Sequence, residues 1–63
     1  MFNVYEVHFI DNSGKLFVCS CEQKGVETFD EDLFYRTLGG LVNITKVIRT
    51  GNKFANGIKT WIN

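Results

Sequence analysis

The sequence predicts a small α+β domain of order ββαββ, with one antiparallel sheet and a short helix across one face. Three observations carry this. Residues 2–23 read as two β-rich runs around the turn signal "DNSG". Residues 28–38 place helix start and stop signals around an apolar stripe. Beyond them the chain returns to β-branched residues. At 63 residues a single domain, 1–63, is expected. A chain this short buries only about 60% of its unfolded surface, so its stability is marginal without help. Nine aromatics, six of them Phe, supply a generous core for that size.

The first pair of strands is the most determined part. "FNVYEVHFI" and "KLFVCSC" flank "DNSG", which suits a type I turn with Gly14 in the left-handed region. That turn sets Asp11 opposite Lys15. Phe9 then faces Phe17, Val7 faces Cys19 and Tyr5 faces Cys21. The other face pairs Ile10 with Leu16, His8 with Val18 and Glu6 with Ser20. Both cysteines therefore point to the more apolar face, where free Cys behaves as a small buried hydrophobe. The one histidine, His8, points away from them. A closed zinc site wants four ligands, and two thiolates fall short. Two cysteines at i and i+2 of one strand also fail disulfide geometry within the chain. Core packing is the expected role; the alternatives are a Cu(I), redox or intermolecular disulfide role, of which a Cys pair across a dimer interface fits best.

The helix is expected over 28–38. Thr28 and Glu31 form a capping-box pattern, and Asp30, Glu31 and Asp32 suit the positive end of a helix dipole. Leu33, Phe34 and Leu38 give the apolar stripe, and Gly39-Gly40 stops the helix. At about 11 residues it needs the sheet for support.

"LVNITKVIRT", 41–50, reads as a strand. The remainder, 51–63, has two readings. Phe54, Ile58, Trp61 and Ile62 fit a helical spacing. Against that, Asn, Gly, Thr and Ile are mediocre or poor helix formers, and Asn56-Gly57 is a hairpin turn signal. The strand reading, 58–62, is favoured because propensity and turn chemistry agree.

Nothing in the chain resembles a catalytic constellation. His8 has no nucleophile placed for it. Asp30, Glu31 and Asp32 diverge around a helix start rather than converging on a cation. "LGGLVN" lacks the spacing of a phosphate loop. A non-enzymatic protein without metal or cofactor is expected. No apolar run approaches the ~20 residues of a membrane span, and the N-terminus lacks the pattern of a signal peptide. A cytoplasmic protein with reduced thiols and no membrane partner is the expectation.

Charge is the remaining signal. Net charge is zero, yet all seven acids lie within the first 32 residues. Residues 1–35 carry two bases and seven acids, net −5, and residues 36–63 carry +5. Two binding functions follow. An acidic, aromatic segment made of Asp30, Glu31, Asp32, Phe34 and Tyr35 would dock on a protein partner, as a regulator or inhibitor. Alternatively, Arg49, Lys53, Phe54, Lys59 and Trp61 would bind single-stranded nucleic acid by stacking and charge. The split also fits a sheet whose acidic first strands neighbour basic later ones. A homodimer is a further expectation, through the face bearing Val4, His8, Ile10, Leu16 and Val18.

The cysteine assignment makes a direct prediction. Cys19→Ala and Cys21→Ala should each lower unfolding free energy by about 1 kcal/mol, while Ser20→Ala should be nearly silent in the same denaturant titration.

Overall fold

The computed structural model describes residues 1–25, 28–53 and 59–61; for residues 53 and 59–61 it describes the backbone. The expected ββαββ order is present: β1 Phe2–Ile10, β2 Leu16–Lys24, α1 Glu31–Leu38, β3 Asn43–Lys53 and β4 Lys59–Trp61. The strands form one antiparallel sheet in the order β2-β1-β3-β4. β1 is central, and β2 and β4 are the edges. β2 and β3 both run antiparallel to β1, so they are parallel to each other, and α1 connects them.

The β1–β2 register follows from its turn. Phe9 pairs with Phe17, Val7 with Cys19 and Tyr5 with Cys21. Gly14 has φ 84°, a left-handed conformation that costs glycine no Cβ clash. One carboxylate oxygen of Asp11 accepts from Ser13 N at 2.9 Å, Ser13 Oγ at 2.6 Å and Lys15 N at 3.0 Å. These hydrogen bonds hold the Asp11 carboxyl below its ordinary value of 3.8.

β3 departs from simple alternation. Its pairing with β1 shifts between His8 and Phe9 and again between Val4 and Tyr5. The extra residues are Thr45 and Thr50. Their hydroxyls donate to the carbonyls of His8 and Val4, each at 3.2 Å. These bulges bend the strand. The first of them also puts Ile44 opposite Phe9 and Val47 opposite Val7, so that two residues three apart share the helix-side face.

That face holds the core. Tyr5, Val7, Phe9 and Phe34 are buried, with Phe17, Cys19, Cys21, Phe29, Tyr35, Val42, Ile44 and Val47 packed against them. Phe34 sits among Phe9, Phe29 and Tyr35, with ring centroids 5.7, 5.6 and 6.5 Å away. Burying such a ring contributes about 1.5–3 kcal/mol. The opposite face is more open. Leu16 and Val18 are 61% and 55% exposed there, but Val4 is only 2% exposed, so its side chain is closed to a partner on that face.

α1 starts later than the capping-box pattern implies. Its N-cap is Asp30, whose side chain accepts from Leu33 N at 3.1 Å, and Thr28 lies outside the helix. Asp is as good a cap as Ser or Thr, and the tertiary contact described below selects it. The stop is Gly39 at φ 85°, with the amides of Gly39 and Gly40 both donating to the Tyr35 carbonyl. The C-terminal segment is a strand over Lys59–Trp61 and not a helix. Phe54, Asn56-Gly57, Ile58 and Ile62 lie outside the described residues.

Asp30→Ala should therefore lower stability by about 1 kcal/mol, whereas Thr28→Ala should leave the unfolding midpoint unchanged. Urea titrations of the two variants check this.

Candidate protein-docking surface

The acidic segment owes its position to a residue that sequence reasoning passed over. Gln23 stands on the helix-side face of β2 and is 2% exposed. A buried amide must find partners. Gln23 Oε1 accepts from Asp30 N at 2.7 Å, and Gln23 Nε2 donates to Asp30 O at 2.8 Å. One side chain thus imitates a strand pair and ties the start of α1 to the edge strand. The available signal was parity. Gln23 continues the odd-numbered face of Phe17, Cys19 and Cys21, and the nearest open backbone groups are those of a helix start.

Asp30, Glu31 and Asp32 are exposed at that start. Asp30 spends one carboxylate oxygen on the cap. Glu31 and Asp32 occupy the first turn, where the dipole favours their charge. Phe34 faces inward and is 3% exposed, so it supports the surface from below. Tyr35 is half-buried and packs on the same core. The structure therefore leaves the three carboxylates outermost, with part of Tyr35 beside them.

Arg49, Lys53 and Lys59 belong to β3 and β4, on the side of the sheet away from β2. Arg49 pairs with Tyr5, is exposed, and donates to Asn52 Oδ1 at 2.6 Å. Lys53 pairs with Lys59, and Trp61 pairs with Gly51. Phe54 lies outside the described residues. Lys46 is opposite His8 and Glu6 is opposite Ile48, so β1 and β3 do not match acid to base directly across the ladder. His8 instead lies 2.8 Å from Glu6 on its own strand. From β2 to β4 is three strand spacings, on the order of 14 Å. The acids that start α1 and the bases of β3 and β4 are thus set apart, although Lys24 lies on β2 and Arg36 on α1.

A groove of about 490 Å³ runs between β2 and α1, with Cys19, Cys21, Leu33, Thr37 and Leu38 among its walls. Burial raises both thiols above their ordinary value of 9.0, and for Cys21 the neighbouring Cys19 and Glu22 add to the shift. Both are held as thiols rather than thiolates at neutral pH. Among the described residues, no three His, Cys, Asp or Glu side chains are grouped to hold a metal, and no helix is long and apolar enough to cross a membrane.

Comparison with protein-family models, curated proteins and solved structures finds no match to this chain.

Gln23→Leu keeps the volume and removes the two hydrogen bonds to Asp30. It should lower stability by about 2 kcal/mol and speed amide exchange across α1. Gln23→Glu should be impaired at neutral pH, since a carboxylate faces the Asp30 carbonyl. Burial and that carbonyl raise the carboxyl's pKa, so its stability relative to wild type should recover as pH falls and the donor is restored.

Proposed function

We propose that the chain is a small non-enzymatic binding protein, a regulator or inhibitor that docks on a protein partner through the acidic start of α1. The carrying observation is the arrangement of Asp30, Glu31 and Asp32. They are exposed on a helix start held to the sheet by Gln23, and the basic residues of β3 and β4 lie on the far side. Such a polarised surface orients encounters and raises association rates. Its complement is a basic surface, of the kind that otherwise engages nucleic acid. The pairing of Lys53 with Lys59 supports a second reading, in which the β3–β4 side binds single-stranded nucleic acid.

One experiment separates them. Wild-type protein and Glu31→Lys/Asp32→Lys are immobilised and exposed to cell lysate, with thermal melts to verify folding. Asp30 is left intact because it caps the helix. Short single-stranded DNA and RNA are titrated in parallel over a range of salt. The docking reading expects a basic protein captured by the wild type and lost in the double variant. Micromolar oligonucleotide binding with a steep salt slope, lost in Lys59→Ala or Trp61→Ala, would replace it with the second reading. Neither result would make the charge split purely structural and end the proposal.

A further inference from the structure

We propose that β2 is the seam of a homodimer, in which the edge strands of two copies pair antiparallel about a two-fold axis at Ser20. The inference is independent of the docking surface and rests on four features of the β2 edge.

The first is the backbone. Asp11 N donates to Lys15 O and Gly25 N donates to Met1 O. With the β1–β2 register, these bonds make the odd-numbered residues of β2 the ones bonded to β1. The N–H and C=O groups of Leu16, Val18, Ser20 and Lys24 consequently point away from the sheet. They form a template for another strand.

Sequence is the second feature. An edge is ordinarily blunted by charge, proline or shortness. β2 is nine residues long, and its stretch Leu16–Cys21 has neither charge nor proline. Val18 and Leu16 are also among the most exposed large apolar side chains.

The third is self-complementarity. Ser20 is the midpoint of Leu16–Lys24, so the two-fold register centred there pairs all nine residues; any other symmetric register pairs fewer. It sets Lys24 opposite Leu16 of the second copy and Glu22 opposite Val18, with no like charges facing. Its hydrogen-bonded positions include Leu16, Val18, Ser20 and Lys24, whose backbone groups already point outward.

The fourth is the groove. In a continuous sheet the odd residues of the second strand emerge on the helix side, beside Cys19 and Cys21. There Leu33 and Leu38, 40% and 43% exposed, flank an apolar space of about 490 Å³. The second copy fills that space and brings its own helix antiparallel to the first. The product is a continuous eight-stranded sheet with both helices on one face and β4 of each copy at its outer edges.

The register places Cys19 opposite Cys21 of the second copy, twice, at non-hydrogen-bonded positions. Cα atoms there lie about 4.5 Å apart, within disulfide reach. This gives the test. Sedimentation of reduced wild-type protein at high micromolar concentration should show a dimer. Treatment with diamide, whose N=N bond takes the protons and electrons of each thiol pair, should give a covalent dimer. Both Cys19→Ser and Cys21→Ser should abolish that cross-link while remaining dimeric in sedimentation. Ser20→Pro removes an outward N–H that β1 does not use, and should yield a folded monomer. Val18→Lys places Lys opposite Glu22 and should remain dimeric, whereas a dimer through the open face would fall apart. A strict monomer, a ladder of higher oligomers, a cross-link surviving in either cysteine variant, or dissociation by Val18→Lys would each overturn the proposal. If Ser20→Pro does not fold, the cysteine variants and Val18→Lys still decide it.

Discussion

The hydrogen-bonded link between Gln23 and the backbone of Asp30 is the constraint on which the rest of this small structure depends. Two bonds of 2.7 and 2.8 Å set where the chain leaves the β2 edge and where α1 begins. With Asp30 held, its carboxylate is placed to cap Leu33 N. With the first turn held, Phe34 is directed at Phe9 and Phe29. An eight-residue helix is too short to persist in water by itself. Its order comes from this link at one end, Gly39 at the other and the aromatic cluster between them.

The cluster explains how a chain of this size forms a core with free thiols. Tyr5 meets Phe29 edge-on at 5.1 Å, and Phe9 stacks on Phe17 at 5.4 Å. Aromatic pairs add about 0.5–1.5 kcal/mol beyond the area they bury. The cysteines complete this layer at its rim, in contact with the core yet beside the groove.

Two surfaces stand out, and they have different physical origins. At the start of α1 the carboxylates meet the helix dipole's preference for negative charge, so their presence has a structural benefit as well as the proposed docking role. Only their loss of a partner without loss of fold distinguishes the two. The β2 edge is different. Nothing in the stability of the single chain calls for an uncharged, apolar outer strand, and isolated edges of that kind invite aggregation. The proposed pairing with a second copy would resolve that conflict.

What the sequence determined by itself was local. The "DNSG" turn set the β1–β2 register because a turn type dictates which residues face each other, and alternation then assigned Cys19 and Cys21 to the core side. Gly39 stopped the helix because glycine takes a positive φ without the Cβ clash that other residues meet. The non-local features were decided only by the tertiary structure. Thr28 and Asp30 are both competent caps, and the choice fell to Asp30 through Gln23, a residue seven positions away. Phe34 read both as part of the apolar stripe of the helix and as a docking aromatic beside the acids, and only the packing on β1 decided for the inward place. The bulges at Thr45 and Thr50 were illegible, since they arise from fitting β3 to β1 across about 40 residues of chain. Strand order was equally hidden: alternation tells which face a residue occupies, and only packing tells which strand becomes an edge.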